Sequence, residues 1–145
     1  MNLNDIYTEV VLEQSRNKKN RRDLDNPTIK ELGHNPSCGD EITLQLKMDG
    51  DIIKDASYVG TGCAISQAST SIMIDIIKKM RLKDAEKLAD KFISMVKGEI
   101  TDESELSELE DAAIFENIKN LPARVKCAEL PWYTLKNVIK ENKLD

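Results

Sequence analysis

The chain is poor in aromatic residues, with one tryptophan, three tyrosines and two phenylalanines among 145 residues, so any core it builds is mainly aliphatic. It has no uninterrupted apolar run long enough to cross a bilayer, which excludes a helical membrane span. Its first residues include Asp5 and Glu9 and lack a basic stretch followed by an apolar core, which argues against a secretory leader and for a cytoplasmic protein. Basic residues are not in excess: 21 Lys and Arg face 26 Asp and Glu, and the net charge of -5 argues against broad nucleic-acid binding. The basic run from Arg16 to Arg22 is the local exception, and it reads as the solvated end of a first helix. Histidine is limited to His34, which reads as an ordinary loop residue. No repeat or low-complexity tract is present.

Cysteine is scarce but informative. Cys38, Cys63 and Cys127 form an odd set without a CxxC pair, and a reducing compartment disfavours disulfides, which leaves metal ligation or thiol chemistry. The length, with 40% apolar and 32% charged residues, suits a single domain spanning 1–145.

Leu3, Ile6, Tyr7, Val10 and Val11 recur at helical spacing to about Ser15, with Asn2 or Asn4 available as a cap. Asp25-Asn26-Pro27 signals a turn before a short edge strand, Thr28 to Leu32. Proline and glycine bracket the cysteine in His34 to Asp40, so this stretch reads as an irregular loop with Cys38 and Asp40 at its tip. Glu41 to Lys47 alternates, with Ile42, Leu44 and Leu46 on one face. Asp49-Gly50 then predicts a hairpin into a second strand, Ile52 to Val59. Antiparallel pairing would return Cys63 to the end of the sheet where Cys38 and Asp40 begin.

A long amphipathic helix follows through Ile65, Ala68, Ile72, Ile76 and Met80, and a second runs from Lys83-Asp84 through Leu88, Phe92 and Val96 to Gly98. The acidic stretch Glu99 to Asp111 reads as a solvated loop entering a helix that ends near Asn120. Ala128 to about Asn142 reads as a final helix, with Pro131 tolerable only in its first turn, which would set Cys127 just ahead of a helix N-terminus. Trp132 and Tyr133 read as packing residues of that helix. The fold expected is α+β: a small antiparallel sheet of about three strands, covered on one face by helices.

The stretch Val59 to Ser66 is the centre of this arrangement. Gly60 and Gly62 allow close backbone approach, and the free N–H groups of a helix opening at Ala64 would stabilise a thiolate at Cys63. Cys38, Asp40, Cys63 and Cys127 together are a four-ligand set of the kind tetrahedral zinc accepts. Spacing leaves scattered structural cysteines as the alternative.

Three ordered segments carry a resemblance. Asn35-Pro36-Ser37-Cys38-Gly39-Asp40, Gly60-Thr61-Gly62-Cys63-Ala64-Ile65-Ser66 and Pro122-Ala123-Arg124-Val125-Lys126-Cys127-Ala128 resemble the three cysteine motifs of the IscU/NifU-like sulfur-assembly family. The likeness runs from about residue 3 to 140 and is closer to the SufU branch. Lys126 stands where the IscU-type scaffold has histidine, and the acidic stretch resembles a SufU insertion. Leu121-Pro122-Ala123-Arg124-Val125-Lys126 departs from the Leu-Pro-Pro-Val-Lys segment that a dedicated chaperone reads in scaffold members. Ser15 to Asp23 departs from the family's Asn-Pro-Arg-Asn-like turn.

The resemblance implies a zinc-dependent sulfurtransferase. It would accept persulfide sulfur from a SufS-like, pyridoxal-phosphate-dependent cysteine desulfurase and pass it to iron-sulfur assembly machinery. Cys38 would be the acceptor, and Cys38, Asp40, Cys63 and Cys127 the zinc ligands. The competing readings are a scaffold carrying a [2Fe-2S] cluster on the same ligands and a structural zinc adaptor. Arg124 and Lys126 would either offset the charge of a three-thiolate site or be plain surface charge.

Overall fold

The structure is a computed structural model that describes residues 9–36, 39–100 and 102–142. Helix α1 (Glu9–Arg16) is followed by three strands, β1 (Ile29–Asn35), β2 (Asp40–Asp49) and β3 (Ile52–Thr61). Helices α2 (Ala64–Ile77) and α3 (Leu82–Val96), a short α4 (Glu103–Ser107), a 3-10 segment (Glu110–Asn120) and α5 (Pro122–Asn142) complete the order. The sheet is antiparallel throughout, in the order β1-β2-β3. The expected α+β fold with a three-stranded sheet is therefore what the chain adopts.

The hairpin forms where Asp49-Gly50 predicts it. Gly50 takes a positive φ of 62°, which a two-residue connection matching the strand twist requires. Alternation then does the rest: Ile42, Leu44 and Leu46 of β2, with Ala56 and Tyr58 opposite on β3, are fully buried on one face. Helix α5 lies so close over β1 that a side chain at Gly33 would run into Thr134. On the opposite face of β1, Leu32 stays 56% exposed, so the helical cover is one-sided as expected.

Phe92 of α3 stacks on Trp132 of α5 at 4.4 Å between ring centroids and 13° between planes, and meets Phe115 of the 3-10 segment edge-on at 6.0 Å. The tryptophan and both phenylalanines thus meet at one helix junction, where their area counts most.

Several expectations are corrected. Strand β1 runs on through His34 and Asn35, because the register continues to Asn35↔Asp40, and Asp40 opens β2 rather than sitting on a loop tip. The final helix begins at Pro122, six residues before the expected Ala128, and Pro131 lies inside it. Proline at the first helical position forfeits only an N–H that a first turn leaves unpaired, so Pro122, just past the end of the preceding segment at Asn120, opens α5. Pro131 removes the N–H that would bond the carbonyl four residues back. The helix absorbs a cost of about 3 kcal/mol by burying Ala128, Trp132, Leu135 and Val138. The segment to Asn120 is a short α-helix followed by 3-10 geometry rather than one helix.

The basic run is also more ordered than a solvated helix end. Asn20 is fully buried, and its side-chain amide donates to the Ser71 carbonyl, the Ser71 hydroxyl and Asp75 Oδ1 at 3.0–3.1 Å. Its own carbonyl accepts from the Tyr58 N–H at 2.9 Å, which pins the segment to the β3 edge. The expected helical residues Leu3, Ile6 and Tyr7, their caps, and Cys38 lie outside the described residues.

Candidate metal and thiol site

Cys63 sits between the end of β3 and the start of α2 and is the N-cap of that helix. Its φ of -72° and ψ of 171° are extended, and its sulfur accepts from the Ser66 N–H at 3.5 Å. Its carbonyl accepts from the Gln67 N–H at 3.0 Å and from the Ser66 hydroxyl at 3.1 Å. The thiol at a helix mouth expected from the glycine-cysteine stretch is therefore present. A side chain at Gly60, whose φ is +135°, would overlap the Glu41 carbonyl. One at Gly62 would overlap the Ser66 hydroxyl and lie 3.3 Å from Asp40 Oδ1. The two glycines thus let β2 and the Cys63 turn close on each other.

Asp40, only 3% exposed, is the first residue of β2. Its Oδ1 accepts from the Cys63 N–H at 3.0 Å and its Oδ2 lies 3.6 Å from the Cys63 sulfur. Cys127 is fully buried in the second turn of α5, not ahead of a helix N-terminus as expected, and it projects into the same place. One ligand atom from each of Asp40, Cys63 and Cys127 lies within 4.8 Å of the other two.

The electrostatics favour a thiolate. The Cys63 sulfur is lowered to about 6, chiefly by a hydrogen bond from the Cys127 thiol. Burial and the Asp40 carboxylate push the other way, and the Ser66 N–H assists the lowering. Two sulfurs and a carboxylate oxygen suit a borderline cation such as Zn²⁺. Bonds of about 2.3 Å to sulfur and about 2.0–2.2 Å to oxygen give tetrahedral edges near 3.5–3.8 Å. The 3.6 Å separation of Asp40 Oδ2 and the Cys63 sulfur is already such an edge. The donor set therefore fits the ion and leaves a position for a fourth ligand.

The sequence reading grouped Cys38, Asp40, Cys63 and Cys127, and among the described residues the fold brings Asp40, Cys63 and Cys127 together. His34 is an exposed strand residue outside the group, Lys126 is exposed beside Cys127, and Arg124 is half-buried in the first turn of α5. Sequence reasoning missed Ser66 and Gln67. Both lie in the first turn of α2, and their spacing of three and four from the cap residue was a signal that they face it. Glu129, two residues beyond Cys127, is largely buried with Oε1 unpartnered, beside a cleft of about 190 Å³ lined by His34, Pro36, Lys126 and Tyr133. Burial raises its carboxyl above the usual range, against the pull of Lys97 and Lys126.

A three-stranded antiparallel sheet with an Asp-Cys-Cys cluster at one end, closed by helices on one face, defines a small α+β protein built around a thiol-rich metal-type site. Residues 6–128 match the model of the NifU-like N terminal domain, and the chain belongs to that family. It is 43% identical over 136 residues to the iron-sulfur cluster assembly scaffold protein IscU of Thermotoga maritima, covering 94% of each chain. It is 38% identical over 141 residues to the zinc-dependent sulfurtransferase SufU of Bacillus subtilis, covering 97% of this chain and 94% of that one. Among solved structures, it superimposes with a TM-score of 0.84 on a protein of Fervidobacterium islandicum AW-1 assigned as a cluster assembly scaffold for the SUF system. That match is 40% identical and covers 92% of this chain and 96% of that one. No helix among the described residues is long and apolar enough to cross a membrane.

Proposed function

We propose that this protein works in iron-sulfur cluster assembly as a zinc-dependent sulfurtransferase of the SufU type, and that Cys38 is its sulfur acceptor. The observation that carries the reading is the convergence of Asp40, Cys63 and Cys127 within 4.8 Å at a helix mouth, a donor set of two soft sulfurs and one hard oxygen. Asp40, Cys63 and Cys127 would hold the zinc and Cys38 would complete it as the exchangeable ligand. Zinc supplies charge that keeps thiols deprotonated without redox chemistry of its own.

The remaining steps belong to the chain. Cys38 lies between Pro36 and Gly39 in sequence, two residues before Asp40. Gly39 has a φ of +72° and its N–H donates to the Asn35 carbonyl at 2.9 Å, and Asp40 follows it as the first residue of β2. A pyridoxal-phosphate-dependent, SufS-like cysteine desulfurase would present a persulfide there. The Cys38 thiolate attacks its outer sulfur, the donor's S–S bond breaks, and the desulfurase cysteine leaves as a thiolate. Cys38 then carries the persulfide, with no net oxidation or reduction. Asp40 positions the Cys63 turn through its Oδ1, and the buried Cys127 anchors the site to α5. This chemistry suits the cytoplasm, where thiols stay reduced.

A [2Fe-2S] scaffold on the same residues is the second reading, favoured by the name of the Thermotoga maritima relative. Against it, Lys126, exposed and next to Cys127, offers no imidazole. Metal analysis of protein purified without added iron tests the pair. About one zinc per chain and no visible chromophore supports transfer, whereas a stable cluster spectrum without zinc overturns it. Mass spectrometry after incubation with desulfurase and cysteine tests the acceptor. Added sulfur on the Cys38 peptide, lost in Cys38→Ser together with desulfurase activation, is the expected result. Sulfur on the Cys63 or Cys127 peptide, or full activation by Cys38→Ser, would refute it. A structural zinc adaptor would show zinc but no added sulfur on any cysteine.

A further inference from the structure

The peptide unit joining Gly62 to Cys63 is gripped at both ends. Its N–H donates to Asp40 Oδ1 at 3.0 Å, and its carbonyl accepts from the Gln67 side-chain amide at 2.7 Å. The oxygen of that amide accepts in turn from Arg21 Nη1 at 2.7 Å. An arginine side chain can only donate and a carbonyl can only accept. A flipped Gln67 amide would therefore oppose like to like on both sides, so the Arg21–Gln67–Gly62 chain has one satisfied arrangement.

Arg21 is itself held in place. It forms a parallel bridge with Tyr58 at the β3 edge, next to the buried Asn20. The basic run is thereby wired to the turn that carries Cys63.

We infer that Gln67, held by Arg21, is a positioning residue that sets the Gly62–Cys63 peptide and, through it, the aim of the Asp40 carboxylate at the Cys63 sulfur. With Oδ1 committed to the Cys63 N–H, Oδ2 is the oxygen left facing the sulfur at 3.6 Å, in the position of a monodentate metal ligand. If the peptide turns, Asp40 loses that constraint and both its oxygens become available to the metal. Groups behind the ligands typically change metal affinity by about 10–100-fold when removed. This inference rests on the zinc reading of Asp40, Cys63 and Cys127.

The test uses the full chain and the variants Gln67→Met, Arg21→Ala, Arg21→Lys and Gln67→Met with Arg21→Ala. Zinc affinity is read by competition with a chromophoric chelator, ligand geometry by the visible spectrum of the Co²⁺-loaded protein, and folding by the apo-protein melting temperature. Gln67→Met is expected to weaken zinc about tenfold and to shift the cobalt bands while the apo-protein melts as wild type. Arg21→Ala should give a smaller loss, and Arg21→Lys, which still donates, should restore it. The double variant should be no worse than Gln67→Met, because Arg21 acts through Gln67. Wild-type affinity and spectrum in Gln67→Met, or additive losses in the double variant, overturn the inference. If Gln67→Met lowers apo stability, the comparison of Arg21→Ala with Arg21→Lys decides instead. A wild-type protein that takes up neither zinc nor cobalt refutes the underlying zinc reading, a different failure.

Discussion

Replacing Gly62 by alanine should be costly for a reason that a second substitution can remove. The new methyl group would overlap the Ser66 hydroxyl and press to 3.3 Å from Asp40 Oδ1. Ser66 is fully buried, and its hydroxyl donates to the Cys63 carbonyl at 3.1 Å, so the rotation that relieves the overlap leaves a buried polar group poorly paired. That costs about 1–3 kcal/mol. With an unfolding entropy of about 2.1 cal/mol/K per residue, a chain of 145 residues should lose roughly 3–10 °C in Tm. Ser66→Ala alone should cost about 1 kcal/mol, the net worth of one hydrogen bond. In the double variant the clashing oxygen is gone, so most of the Gly62→Ala loss should vanish and leave a coupling of about 1–2 kcal/mol. Thermal unfolding of the four apo-proteins in excess chelator, followed by circular dichroism, closes the cycle. Additive losses would show that the overlap is not what excludes a side chain at Gly62.

Cys127→Ala should abolish stoichiometric zinc and remove the gain in Tm that metal gives the wild type, because ligand bonds double as folding energy. A wild-type Tm indifferent to chelator would contradict this. At Asp55, burial pulls the carboxyl upward, but the Ala56 N–H, Arg22 and Lys78 outweigh it and leave the group below its ordinary value. A lowered carboxylate stabilises the fold above its unfolded pKa, and that stability is lost as pH falls from the usual carboxylate range through the lowered folded value. Asp55→Asn should therefore cost at most about 1 kcal/mol at neutral pH, less in high salt, and nothing once both forms are protonated; an equal loss at all pH values would refute it. Trp132→Phe removes the indole N–H that donates to Ser69 Oγ at 3.0 Å and thins the stack on Phe92. A loss of about 2–3 kcal/mol is expected in urea unfolding, and an unchanged midpoint would contradict the packing argument.

The hairpin was legible because a local signal, Asp49-Gly50, and a period-two pattern agree with each other and with burial. Helices α2 and α3 were legible for the same reason at helical period. The start of α5 was not, because a proline at position 122 can both end one segment and open the next, and Pro131, tolerable in a first turn, pointed to a start at Ala128. What carries the helix through Pro131 is tertiary: Cys127, Ala128, Trp132, Leu135 and Val138 are all buried along it. The extension of β1 to Asn35 likewise depends on pairing with Asp40, a partner that propensity cannot see. Asp40 and Cys63 could be brought together from the sequence because the hairpin returns the end of β3 to the start of β2, whereas Cys127 joined them through the family resemblance. The hold of Arg21 on Gln67 was out of reach. It joins a loop to a helix across the β3 edge, and nothing local marks a charged run as docked.

The three converging side chains come from positions 40, 63 and 127, and this order has a consequence for synthesis. Asp40 and Cys63 can meet as soon as the hairpin closes, whereas Cys127 arrives only when α5 has been made and packed against β1, α2 and α3. A chain interrupted after α3 would lack Cys127 and carry at most part of the donor set. If the site takes zinc as proposed, loading would be a late event in the life of each new chain, coupled to completion of α5.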